Sequence, residues 1–260
     1  MAGGRVCVLT SRGLHRRLDP FKARLADQGA GWLSSLEYGA AERAAELPGG
    51  TYVFADADRL HVNPAFHAGR LHLRLSSRPD ARCVNDPVRM RRRFELLRRL
   101  HRDGVNPIGI WRVEDRRLPT RWPVFLRAED APLRPASPVL ASPEALFRAM
   151  AKVDAAGVYR PNLLLVELPP GVPGPERATG ILRVGDRLLA GPAGERAVAE
   201  PTLRRFVERV LDLAAARYAR LAVALDGDRA VVWDIDTHPT LVEDEIPADE
   251  IASALAALAG

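Results

Sequence analysis

Three short apolar runs separated by segments of helical period occupy the first 85 residues, and this alternation constrains the fold more than any other feature. Arg5-Val6-Cys7-Val8-Leu9-Thr10 and Thr51-Tyr52-Val53-Phe54-Ala55 have the length and continuity of buried strands, and Ala81-Arg82-Cys83-Val84-Asn85 reads as a third. Between them, Leu18, Phe21 and Leu25 mark a helix over 16–28 that Gly29 can stop. Ala40 to Leu47 reads as a second helix, closed by Pro48-Gly49-Gly50, and Pro64 to Arg74 as a third. Alternating strands and helices imply a mostly parallel sheet covered by helices. An α/β domain is therefore expected over residues 1–84.

The remainder, residues 85–260, has a different rhythm. Asp86 and Pro87 can serve as N-cap and first residue of an Arg-rich helix reaching Arg102. Strands are expected at 108–112 and 122–127, then a loop, then a helix from Ser142-Pro143 to Ala155. Leu163 to Leu168 is the most apolar strand. Thr179–Val184 and Arg187–Leu189 flank a Gly185-Asp186 turn, the pattern of a hairpin. A helix over 202–217 shows Phe206, Val210 and Leu213 on one face. A second hairpin joins Arg220–Leu225 to Ala230–Ile235 through Asp226-Gly227-Asp228, and a helix closes the sequence over 246–258. Hairpins mixed with helices make this part α+β.

Bulk composition excludes several classes. The 47% hydrophobic and 27% charged residues of the 260 are those of an ordinary globular protein. A net charge of +5 and a pI of about 9.7 suggest nucleic acid. However, the basic residues are nearly all Arg, with Lys only at 22 and 152, and acids are interspersed among them. The dense stretch Arg89 to Arg102 lacks the interleaved aromatics of a nucleic-acid groove. It reads as a solvated helix face or an anion site, so no nucleic-acid partner is expected. Cys7 and Cys83 lack metal-ligand spacing and read as small buried core residues. No apolar run approaches the ~20 residues needed to span a bilayer, so no membrane partner is expected and a cytoplasmic location is.

Chemistry-bearing residues are few. Asp234 and Asp236 are two apart on an expected strand, which points both carboxylates the same way. Such a pair suits Mg2+ bridging to nucleotide phosphates; two solvent-facing acids are the alternative. Asp56 and Asp58 follow a strand and either line a cleft or cap the next helix. His61, His67 and His72 lack a ligand set and read as surface or satisfied histidines. Phosphate-loop, dinucleotide and nucleophile-elbow motifs are absent.

The order of elements after residue 85, with Asn85-Asp86-Pro87 and the closing Trp233-Asp234-Ile235-Asp236-Thr237-His238-Pro239-Thr240-Leu241, resembles the ATP-grasp superfamily. It is similar to a bacterial branch whose closing segment reads Trp-Glu-Ile-Asn-Thr-Asn-Pro-Thr-Leu. The resemblance covers about 85–245, with residues 1–84 similar to the domain preceding it in many members. It implies MgATP and a small-molecule carboxylate substrate, activated as an acyl-phosphate for attack by an amine: a carboxylate–amine ligase. It also implies roles. Arg127 stands where a phosphate-binding Lys is usual. Glu167 and Leu168 would contact the nucleoside, Arg183 the transferred phosphate, and Asp234 and Asp236 the metal. Arg91 and Arg93 could add phosphate contacts, and His238, in place of Asn, could touch phosphate or metal. Arg127 as an edge-strand charge, Arg183 as a surface arginine and His238 as an exposed turn residue are the alternatives. The sequence departs from the pattern in further places, and the segment between Leu189 and Thr202 is short and lacks the extra aromatic and basic residues expected there. Ala222 stands where an acidic ligand is expected. The loop Ala128 to Leu140 holds Pro132, Pro135 and Pro138 and no glycine. These departures suit a non-catalytic descendant that binds a nucleotide, a metabolite or a partner.

Overall fold

The structure is a computed structural model describing residues 4–25, 29–60, 62–115, 119–129, 137–157, 162–242 and 245–259. In chain order the elements are β1 (Val6–Thr10), α1 (Asp19–Arg24), β2 (Leu33–Glu37), α2 (Tyr38–Arg43), β3 (Gly50–Phe54), α3 (Val62–Ser76) and β4 (Ala81–Val84). Next come α4 (Arg93–Arg102), β5 (Ile110–Arg112), β6 (Val124–Ala128), α5 (Pro143–Ala155) and β7 (Leu163–Glu167). The rest are β8 (Thr179–Val184), β9 (Arg187–Ala190), α6 (Glu195–Ala199), α7 (Pro201–Leu213), β10 (Tyr218–Asp226), β11 (Arg229–Asp236) and α8 (Ala248–Ala257). Two compact units result. The first comprises 1–92, 179–221 and 235–260; the second comprises 93–178 and 222–234.

The first unit holds the expected parallel sheet, in the order β2-β1-β3-β4. β1 is central and buried along its whole length because Val6, Val8 and their neighbours pack between layers. β2 was not expected. Its Leu-Ser-Ser-Leu-Glu sequence has no continuous apolar run, and it is held by its ladder with β1 from Val6↔Leu33 to Thr10↔Glu37. The expected second helix is shorter than its pattern: Ala44 is extended, and Arg74 donates to the carbonyls of Ala41 and Glu42 at 2.8 and 3.2 Å, closing the helix end. The hairpin β8–β9 forms as expected, with Gly185 at φ 63° in its turn. Cys7 is buried, but Cys83 is only half-buried.

The Arg-rich helix starts seven residues after its expected cap. Asp86 takes the Val88 amide at 2.9 Å in a turn, the Arg91 amide bonds the Ala214 carbonyl at 3.2 Å, and Arg91 Nε donates to Leu213 at 2.9 Å. These tertiary bonds outcompete local helix formation, so α4 begins only at Arg93.

In the second unit β7 is the centre of a three-stranded antiparallel sheet, β5-β7-β6. Its all-buried Leu-Leu-Leu-Val-Glu sequence follows from that central position. Ser142 caps α5 as expected, accepting the Ala145 amide at 3.3 Å, with Pro143 at the first helical position. Leu146 and Met150 of α5 pack on Val124, Leu126, Leu163 and Leu165. Strands β10 and β11 belong to the sheet ordered β9-β8-β10-β11. Among the described residues no helix is long and apolar enough to cross a membrane.

Candidate functional site

Two arginines and one aspartate form a deeply buried charged group in the second unit. Arg127 projects from β6, Arg93 from the start of α4 and Asp234 from β11. Asp234 Oδ1 accepts from Arg93 Nε at 2.6 Å and from Arg127 Nη2 at 3.2 Å. Arg127 Nη1 also donates to the Trp233 carbonyl at 3.3 Å, and Arg93 Nη1 donates to the Glu129 carbonyl. The Glu129 carboxylate is itself paired with Arg112 at 2.6 Å. Burying charge is costly unless it is paired and hydrogen-bonded, and here each guanidinium finds both a carboxylate and a carbonyl. The neighbouring strand is fixed by Asn106, which exchanges two hydrogen bonds with Val232 at 2.8 and 3.1 Å. Trp233 donates to the Pro173 carbonyl at 3.0 Å.

Glu167, at the end of β7, is a second buried carboxylate of this unit. Its Oε2 accepts from Arg121 Nη2 at 2.7 Å and Nε at 3.1 Å; its Oε1 has no hydrogen-bond partner among the described residues. A Cβ on Gly109 would lie 2.5 Å from Oε2 and 2.4 Å from the Trp111 ring, so only glycine lets the carboxylate sit against that backbone. Leu168 is half-buried and its amide bonds the Pro123 carbonyl at 2.9 Å.

The remaining expected site residues belong to the first unit. Asp236 pairs with Arg59, faces Arg17 at 3.8 Å, and accepts the His238 amide at 2.8 Å. His238 is fully buried, not exposed in its turn. Its Nε2 lies 2.9 Å from the Leu14 carbonyl, which requires the proton on that nitrogen. Burial holds its imidazole below the ordinary value, and the charges of Arg17 and Arg59 act in the same direction. Arg183, on β8, is buried rather than a surface arginine. It binds Asp212 at 2.6 Å and the carbonyls of Gly185 and Ala216 at 3.0 and 3.4 Å, tying α7 to the hairpin. Asp56 is buried at φ 51° and accepts the Ser11 amide at 2.8 Å and the Ser11 hydroxyl. It makes no side-chain cap bond. His67 pairs with Glu42 at 2.6 Å, and His72 faces Asp86 at 4.0 Å. The Asp58 side chain, His61 and most of the glycine-free loop, 130–136, lie outside the described residues.

The donor set does not fit Mg2+. That ion takes oxygen ligands in near-octahedral geometry, usually one or two carboxylates with phosphate and water. Asp234 Oδ1 is already shared by two guanidiniums and Asp236 is bound by Arg59, while Ala222 contributes a buried methyl. Among the described residues no three His, Cys, Asp or Glu side chains group to hold a metal. Arg93, Arg121 and Arg59 are the partners that sequence reasoning missed as such. Arg93 was weighed only as a phosphate contact, and no spacing rule links residues 93 and 234 or 121 and 167.

No protein-family model matches the chain, and no curated protein is significantly similar to it. Solved structures do resemble it. The D-alanine–D-alanine ligase from Bacillus anthracis superposes with a TM-score of 0.59 at 10% identity, covering 98% of this chain and 95% of the ligase. The same enzyme complexed with ATP gives 0.57 at 10% identity, covering 98% and 94%. A RimK domain ATP-grasp protein from Sphaerobacter thermophilus gives 0.52 at 17% identity, covering 98% and 97%. The parallel sheet, the antiparallel sheets and these superpositions together identify the fold of this chain as ATP-grasp.

Proposed function

We propose that this chain is a nucleotide-binding protein of ATP-grasp fold that does not hold Mg2+ on Asp234 and Asp236. Residues 1–84 would form the preceding α/β domain and 85–260 the nucleotide-binding part. The observation carrying this reading is Oε1 of Glu167, buried without a hydrogen-bond partner among the described residues. Buried polar atoms are nearly always hydrogen-bonded, and a nucleoside hydroxyl or amine would supply the missing donor. Leu168 follows directly and would offer an apolar edge to the base. Arg127 and Arg183 could meet phosphate only by leaving Asp234 and Asp212, so both are proposed as structural first. The structural neighbour complexed with ATP supports adenine nucleotide as the ligand.

A second reading, an ATP-dependent carboxylate–amine ligase acting on a small-molecule carboxylate through an acyl-phosphate, is supported by the near full-length superposition on ligases. It requires Asp234 and Asp236 to be released from their arginines.

Thermal shift with ATP, with and without Mg2+, separates the two. At ~100 times its Kd a ligand stabilises by about 2.7 kcal/mol, and at about 2–4 °C per kcal/mol the melting point rises by ~5–10 °C. The expected rise with ATP is the same with and without Mg2+. A rise only with Mg2+ reinstates the ligase, and no rise in either condition refutes nucleotide binding.

A further inference from the structure

The Arg121–Glu167 pair is lopsided. The Arg121 fork places Nη2 at 2.7 Å and Nε at 3.1 Å from one and the same oxygen, Oε2, and Nη2 also reaches the Pro107 carbonyl at 3.0 Å. Oε1 of the same carboxylate is buried without a partner among the described residues. The Glu167 side chain is 1% exposed and that of Arg121 49%. The acid is therefore fixed in the interior while the cation approaches from solvent. Gly109 and the Trp111 ring close off the carboxylate on another side, where not even a methyl group would fit. Arg121 lies outside any strand or helix, two residues before Pro123, so its own position is the more easily changed.

We propose that Arg121 is a built-in competitor for the nucleoside, occupying Glu167 Oε2 so that a ligand reaches only Oε1 until Arg121 swings out. This rests on the nucleotide-binding reading above. A guanidinium donates charge-assisted hydrogen bonds to a carboxylate, whereas ribose hydroxyls and a base amine are neutral donors and form weaker ones. A neutral sugar therefore does not displace Arg121 without loss. A ribose diol can donate to both carboxylate oxygens only once Arg121 is gone. With Arg121 in place the protein therefore distinguishes ribose from deoxyribose poorly, and Arg121 is the specificity-determining residue that makes it so.

Isothermal titration with ATP and 2′-deoxyATP on the wild type, Arg121→Gln and Arg121→Ala tests this. Melting curves without ligand establish that each variant is folded. Glutamine keeps an amide donor beside the buried carboxylate, so Arg121→Gln serves if the alanine variant does not fold. In the wild type the two nucleotides should bind within about threefold of each other. In the variants ATP should bind about tenfold tighter, the equivalent of one hydrogen bond to a charged group. 2′-DeoxyATP should gain less, so that the ratio opens. Variants that bind ATP no more tightly than the wild type overturn the inference while leaving the nucleotide reading standing. A wild-type preference for ATP of more than about tenfold, on the same scale, overturns it without any variant. If neither wild type nor variant binds ATP, the nucleotide reading fails and the competitor role goes with it.

Discussion

Replacing Asp234 by Ala distinguishes an acid that anchors two buried arginines from an acid kept for a metal. The Arg93, Arg127 and Asp234 side chains are 0%, 1% and 5% exposed, so solvent screens them little. Removing the carboxylate leaves two guanidiniums in the interior, each without its charged partner at Asp234. Removing one partner of a buried pair costs about 3–5 kcal/mol, and an acid shared by two cations belongs at the upper end. At about 2–4 °C per kcal/mol for a chain of this size, Asp234→Ala should melt ~10–20 °C lower. Carboxylates gathered to await a cation behave in the opposite way. They repel one another in the metal-free protein, so neutralising one leaves stability unchanged or raised. The sign of the change is therefore diagnostic. Urea and thermal unfolding of the metal-free protein at pH 7 with a chelator provide the measurement. The triple variant Arg93→Met, Arg127→Met, Asp234→Leu should recover most of the loss, because replacing a whole buried ion network by apolar side chains is often neutral. A loss for Asp234→Ala below about 1 kcal/mol, the range of an exposed pair, would refute the anchoring role.

Other outcomes follow from single contacts. Asn85 sits at φ 63°, donates to the Phe54 and Tyr218 carbonyls at 3.1 and 2.9 Å, and accepts the Arg217 and Tyr218 amides at 2.7 and 3.0 Å. Asn85→Ala should cost about 3 kcal/mol or more in urea unfolding, and Asn85→Gly less, since glycine relieves the left-handed backbone; equal losses would show the backbone term is negligible. Gly109→Ala should cost about 1–3 kcal/mol by overpacking against Glu167 and Trp111 and should weaken ATP binding in the same titration. Retained affinity would separate Glu167 from the ligand. Glu200 caps α7, and the Leu203 and Thr202 amides hold its carboxyl below the ordinary 4.5. A lowered acid stabilises above the unfolded value and loses that contribution as pH falls through the folded one. Glu200→Ala should therefore lower the urea midpoint at pH 7, and the gap from wild type should close below about pH 4, under the ordinary value for a glutamate. A gap that persists at lower pH would contradict the cap.

Legibility tracked how local the cause was. The parallel sheet was readable because β1 and β3 are buried by their own composition, and the Ser142 cap because its bond spans three residues. β2 was not, because Ser34 and Ser35 belong to a strand only through the ladder that β1 provides. The start of α4 was misplaced because Arg91 answers to Ala214, over a hundred residues away, and not to its neighbours. The site followed the same rule. Glu167 and Asp234 were picked out by position, but what each binds depends on Arg121 and Arg93. No periodicity connects those partners.

The three-segment composition of the first unit has a consequence for how the chain is made. Val6 and Val8 of β1 share one apolar cluster with Ile251, Ala254 and Leu255 of α8. The Leu258 carbonyl takes hydrogen bonds from Thr51 at 2.8 Å and Arg82 at 3.2 Å. During synthesis β1 leaves the ribosome some 240 residues ahead of the layer that shields it. At about 5–20 residues per second this is an interval of tens of seconds. During that time the parallel sheet lacks its cover, so nascent-chain chaperoning bears on that sheet, and a truncation before Ala248 damages β1, far back in the sequence, by removing the cluster it packs on.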